Sequence, residues 1–180
     1  DMQGKIAAIV DDGPTQVGVE STVVDMAADV PTILRPGAVT QQQLEDVLGI
    51  HVLDATSTMS VADDVTPKAP GMKYRHYAPD KQVVMFDRLD ALALKVSLAP
   101  TDVVMAQEET LQRMALPLAQ TWSLGTTLEN ATEQLFAGLR YYDDVAHVKT
   151  IYVEKMPPIG LGKAFNNRLG KASGNQEYQG

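Results

Sequence analysis

Residues 83–106, VVMFDRLDALALKVSLAPTDVVMA, decide the fold. Val83–Phe86 is a short apolar run of strand formers, closed by the polar turn Asp87-Arg88-Leu89-Asp90. Ala91–Leu98 then carries helical periodicity, and Asp102–Ala106 returns to a continuous apolar strand. The same unit repeats downstream. A helix is expected over Glu109–Ala115, a strand over residues 118–124 and a long helix over Thr126–Asp144. That helix has Thr126 and Glu129 in capping-box spacing and a stripe of Leu128, Ala131, Leu135, Leu139 and Tyr142. A strand over residues 149–154 and a helix over Leu161–Ser173, with Leu161, Phe165, Leu169 and Ala172 inward, complete the set. Strand and helix alternate four times, which predicts a mainly parallel sheet flanked by helices, Rossmann-like in the loose sense. Neither GxGxxG nor GxxxxGK[ST] occurs, so no nucleotide cofactor follows from the fold alone.

Upstream the pattern is different. Residues 5–11, Val17–Met26 and Pro31–Arg35 read as three strands. Thr40 opens a helix with Gln43 in reciprocal capping position, Leu44, Val47 and Leu48 on one face and Gly49 as its stop. Three strands and one helix in about 50 residues bury little core, so this block is expected to complete something larger and to begin inside a domain. Between Asp54 and Lys81 apolar periodicity disappears, as in a linker, lid or binding loop. The expected division is residues 1–53, 54–81 and 82–180.

Composition narrows the function classes. With 44% hydrophobic and 21% charged residues the chain reads as ordinary soluble globular protein, and its lack of disulfides fits an expected cytoplasmic location. It has no apolar run long enough to span a membrane and no secretory signal pattern. The absence of cysteine excludes disulfides, thiolate metal sites and thiol nucleophiles. His51, His76 and His147 lack metal-ligand spacing, so no metal site is expected. A net charge of -8 disfavours broad binding to phosphate backbones, although Lys73–His76 and Lys163–Lys171 are locally basic. The second of these reads as a solvated helix face.

Four constellations carry chemistry. In GVESTVVD (18–25), strand alternation puts Glu20 and Thr22 on one face and Ser21 on the other. Ser21 is either a hydrogen-bonding group for a small polar ligand or a serine facing water; no nucleophile elbow surrounds it. In ILRPG (33–37), Arg35 ends a strand before a Pro-Gly turn, placed either to grip a phosphate or as a surface arginine. In APGMKYRHYAP (69–79), prolines bracket Lys73, Tyr74, Arg75, His76 and Tyr77. Cations beside aromatic faces suit a nucleotide; the alternative is a linker pinned by its aromatics. In GLGKAFNNRL (160–169), glycines before a helix leave either an anion site or tight packing.

These pieces, in this order, resemble the two-domain threonylcarbamoyl-AMP synthases, through GVESTVVD, ILRPGAVTQQQLEDVLG, APGMKYRHYAP and LGKAFNNRLGKAS. The resemblance implies that residues 1–53 close a YrdC-like catalytic domain, 54–81 form an interdomain linker and lid, and 82–180 form the C-terminal domain. It implies formation of threonylcarbamoyl-AMP and pyrophosphate from L-threonine, bicarbonate and ATP, with Mg2+ accompanying ATP. Other proteins then pass the threonylcarbamoyl group to tRNA. Ser21 would contact threonine, and Arg35 and Tyr74 the ATP, with no side chain acting as a catalytic nucleophile. Lys73, Arg75 and His76 are candidates for latching the linker. Much of the family's pocket lies upstream of these motifs, so the 180 residues alone are expected to be inactive. The competing readings are a non-catalytic α/β binding or regulatory module for RNA or a partner protein, and a hydrolase using Ser21 with a histidine base.

Overall fold

The structure, a computed structural model, describes residues 4–11, 13, 17–57 and 78–180. Two sheets organise them. The larger contains β4 (Gln82–Phe86), β5 (Asp102–Ala106), β6 (Thr121–Ser123) and β7 (Thr150–Glu154), in the order β4-β7-β5-β6 with every pair parallel. Helices α2 (Ala91–Ser97), α3 (Glu108–Met114), α4 (Leu128–Asp143) and α5 (Leu161–Ser173) link or follow these strands. Parallel neighbours need crossovers, and the helices supply them.

Strand alternation assigns the faces. Val83, Met85, Val103, Met105, Ile151 and Val153 point to one side. There they meet Ala131, Leu135 and Leu139 of α4 and Phe165 and Leu169 of α5. Phe86, Val104 and Ala106 point to the other, against Ala91 and Leu94 of α2 and Met114 of α3. The sheet is therefore covered on both faces, which is why its strands read as unbroken apolar runs. The C-terminal tail protects one edge: Met85 N–H donates to Gln176 O at 2.9 Å, and Tyr178 N–H donates to Met85 O at 2.7 Å. This satisfies backbone groups that an open edge would leave unpaired.

The smaller sheet holds β1 (Val23–Asp25), β2 (Thr32–Arg35) and β3 (Leu53–Asp54), in that order. β1 runs antiparallel to β2 with a register shift between Val23 and Val24, and β3 runs parallel to β2. Between β2 and β3, α1 (Gln41–Leu48) has the expected capping box at Thr40 and a left-handed Gly49 at its end.

Several expectations change. Residues 5–11 form turns and extended chain without a ladder partner among the described residues; β-prone composition makes a strand only where a neighbour accepts its hydrogen bonds. The expected strand over Val17–Met26 contracts to Val23–Asp25, because residues 17–22 leave the sheet to meet α4 and α5. The expected inward stripe of α1 is uncovered, with Val47 85% exposed. Polar contacts hold that helix instead: Gln41 Nε2 donates to Val52 O at 2.7 Å, and Val52 N–H donates to Glu45 Oε1 at 3.0 Å. Residues 118–120 form a 3-10 turn before β6. The cap of α4 is Thr127, whose hydroxyl accepts from Asn130 N–H, and not Thr126.

The layered core predicts a sharp contrast in stability. Leu135 is completely buried between α4 and the sheet, whereas Val96 on α2 is 88% exposed. Leu135→Ala is expected to destabilise the chain by about 2–5 kcal/mol and Val96→Ala by about 0.5 kcal/mol or less, read from urea denaturation midpoints.

Candidate functional site

The two sheets meet where GVEST, LRPG and α5 converge. Arg35 lies at the end of β2, and the path of residues 17–22 brings Ser21 beside it. Arg35 Nε donates to Ser21 O at 3.1 Å. Its Nη2 donates to Ser21 O at 3.0 Å and to Ser21 Oγ at 3.2 Å. Thus two residues selected separately in the sequence, 14 positions apart, form one hydroxyl–guanidinium pair. A guanidinium stays protonated and cannot take the serine proton, so the pair suits holding a polar or anionic ligand better than activating a nucleophile. That argues against the hydrolase reading.

Backbone contact makes this approach possible. A Cβ at Gly37 would lie 2.4 Å from Thr22 N and 2.5 Å from Glu20 O, so only glycine lets the turn after Arg35 lie flat against the GVEST segment. Thr22 Oγ1 secures the same contact by donating to Val39 O at 2.7 Å. On the other side, Gly18 has φ +67°, and a Cβ there would lie 2.5 Å from Glu133 N and Thr132 O of α4. Thr132 Oγ1 donates to Val17 O at 2.6 Å. Both glycines of the motifs thus permit close backbone docking.

Charge closes the junction. Arg168 of α5, 4% exposed, donates through Nε to Glu20 Oε2 at 2.5 Å and through Nη2 to Pro36 O at 3.1 Å. Its Nη1 donates to Asn167 Oδ1 at 2.8 Å. Nearer the start of α5, Lys163 Nζ meets Asp54 Oδ2 at 3.1 Å and Gln41 Oε1 at 3.3 Å. Burial pushes the Glu20 carboxyl up. The hydrogen bond from Arg168, a backbone hydrogen bond and the charges of Arg168 and Arg35 outweigh it, leaving the group below its ordinary value. Burial pushes the Lys171 ammonium down, and the nearby charges of Arg168 and Arg35 push the same way while Glu20 opposes. Among the described residues, Arg35, Arg168 and Lys171 thus gather around the Glu20 carboxylate beside Ser21.

The stretch Lys163–Lys171, expected as a solvated helix face, instead packs against the segments around the smaller sheet. The GLGK segment resolves towards packing, since Gly162 N–H donates to Ile159 O and Lys163 N–H to Gly160 O. Sequence reasoning missed Glu20, Arg168 and Lys171 as parts of the site, and the Lys163–Asp54 pair as a contact outside it. One signal was present: Arg168 lies between Phe165 and Ala172 on the inward stripe of its helix, where an unpaired charge is not tolerated. Lys73, Tyr74, Arg75 and His76 lie outside the described residues. Among the described residues, no cluster of ligands suits a metal ion and no helix is long and apolar enough to cross a membrane.

A parallel α/β unit and a smaller sheet, joined at a cationic junction with a hydroxyl at its edge, define a two-part α/β protein suited to an anionic ligand. Residues 39–174 match the family model described as threonylcarbamoyl-AMP synthase, C-terminal domain, and the chain belongs to that family. It is 37% identical over 182 residues to a Bacillus subtilis protein named threonylcarbamoyl-AMP synthase, covering 98% of this chain and 51% of that protein. A Pyrococcus abyssi protein of the same name is 37% identical over 97% of this chain and 51% of its own length. The crystal structure of P. abyssi Sua5 complexed with L-threonine superposes with a TM-score of 0.79 at 35% identity, covering 98% of this chain and 52% of that one. The chain spans about half the length of the curated relatives it matches.

The Glu20–Arg168 pair has a pH signature. A carboxyl lowered on folding stabilises the fold fully above its ordinary value, and the gain is lost as pH falls through the lowered folded value. Glu20→Gln is expected to melt below the unaltered chain at about pH 7, and the gap is expected to narrow as pH falls below the ordinary carboxylate range. Thermal denaturation across that range checks it.

Proposed function

We propose that the complete protein is a threonylcarbamoyl-AMP synthase, with residues 1–53 closing its catalytic domain, 54–81 forming a linker and lid, and 82–180 the C-terminal domain. The observation that carries this reading is the hydrogen-bonded Ser21–Arg35 pair beside the cations of α5, in a chain whose relatives bear that name.

In the reaction, the amine of L-threonine captures CO2 from bicarbonate as a carbamate. A carbamate oxygen then attacks the α-phosphorus of ATP, the bond to the bridging oxygen breaks, and pyrophosphate leaves. Negative charge is concentrated at the phosphates throughout, so catalysis rests on positioning and charge neutralisation. Arg35 is assigned to the ATP phosphates, where its planar fork binds oxygen pairs well. Ser21 is assigned to threonine, its hydroxyl held by Arg35 Nη2. Tyr74 is assigned to the nucleotide, with Lys73, Arg75 and His76 latching the linker. Mg2+ enters with ATP as part of the substrate. A cytoplasmic location accompanies this assignment, with tRNA-modifying proteins taking the product. The net charge of -8 favours hand-over to such proteins above broad tRNA binding by this chain.

The test is pyrophosphate release by the complete protein. Release is expected to require L-threonine and bicarbonate together with ATP. Arg35→Ala is expected to raise the KM for ATP by about 10–100-fold, the loss of a charge-assisted hydrogen bond. Ser21→Ala is expected to raise the KM for threonine by about 5–10-fold, the loss of a neutral one. Release that ignores threonine would refute the assignment.

A further inference from the structure

We propose that Arg168 is a positioning residue: its guanidinium clamps the residue before Ser21 to the residue after Arg35, and so sets the geometry of the ligand-binding pair. The proposal rests on the synthase reading for what the site binds, but not for the clamp itself.

Three observations carry it. First, residues 17–22 lie outside the sheet ladder, so side-chain contacts set their path. Second, the Arg168 fork reaches both partner segments at once, at Glu20 Oε2 and at Pro36 O, each next in sequence to a member of the Ser21–Arg35 pair. Third, Arg168 is nearly inaccessible and its remaining arm is held by Asn167, so the fork has little freedom to turn elsewhere. It touches neither Ser21 Oγ nor the Arg35 head group in these contacts, and acts through its neighbours. A lysine would bring the charge without the planar two-point grip. Lys163 serves as an internal contrast: it also bridges the two sheets, through Asp54 and Gln41, but contacts neither the GVEST segment nor the turn after Arg35.

The experiment compares Arg168→Gln, Arg168→Lys, Glu20→Gln and Lys163→Ala in the complete protein. It measures the KM for threonine and ATP in pyrophosphate release, together with backbone hydrogen exchange of residues 18–22 and 35–37. Arg168→Gln is expected to raise both KM values by about tenfold or more and to speed exchange in both segments, with Arg168→Lys recovering part of the loss. Lys163→Ala is expected to shift KM by less than about twofold and leave exchange in those segments unchanged. A folded Arg168→Gln with unchanged KM and exchange would overturn the proposal, as would equal effects from Lys163→Ala. If Arg168→Gln does not fold, Arg168→Lys and Glu20→Gln decide: faster exchange with raised KM in both supports the clamp, and the absence of either effect overturns it. If the unaltered protein releases no pyrophosphate with threonine, the synthase reading fails and the exchange measurements alone judge the clamp.

Discussion

The buried guanidinium of Arg168 is the constraint on which the junction depends. A charge taken from water is tolerated only where its hydrogen bonds are met, and three partners meet them here: Glu20, Pro36 and Asn167. Two of these lie on the smaller sheet's side, so the helix can bury its arginine only when that side is docked. The fork geometry of arginine converts one buried charge into a fixed spacing between two backbone segments.

The rest of the junction follows from close approach. Gly37 lets the turn after β2 lie on the GVEST segment, and Gly18 lets that segment lie on α4. Once those backbones touch, Ser21 and Arg35 are within hydrogen-bond distance and the cations of α5 stand behind them. The smaller sheet has a thin core around Ile33 and Val52, and much of its organisation is polar: the Thr40 cap, the Glu45–Val52 contact and the Asp54–Lys163 pair. Docking against a well-packed α/β unit gives this modest sheet a firm support.

That unit carries its own buried charge. Glu154, at the end of the internal strand β7, is 1% exposed and accepts from Gln107 N–H at 2.8 Å and Thr110 Oγ1 at 2.9 Å. Burial holds its carboxyl above the ordinary value, and those hydrogen bonds and Arg88 offset only part of that shift. The arrangement joins the strand to the start of α3 at the carboxyl ends of the parallel strands. It lies on the sheet face opposite α4 and α5, so the two buried charges organise different parts of the chain.

Local information determined much of this protein. Five-residue apolar strands at β4 and β5, the helix over Leu161–Ser173 and the cap at Thr40 were legible because each depends on neighbours in sequence. Ser21 and Arg35 were legible as candidates through their motifs, and the family through the order of those motifs. Tertiary structure decided the rest. Residues 5–11 have strand composition without a ladder, and Val17–Thr22 leaves its expected strand for α4 and α5. Lys163 and Arg168 look solvated in sequence yet bind across the junction. The physical reason is common to these cases: a hydrogen-bond ladder, a buried ion pair and a glycine contact each require a partner distant along the chain, and local pattern does not encode which one arrives.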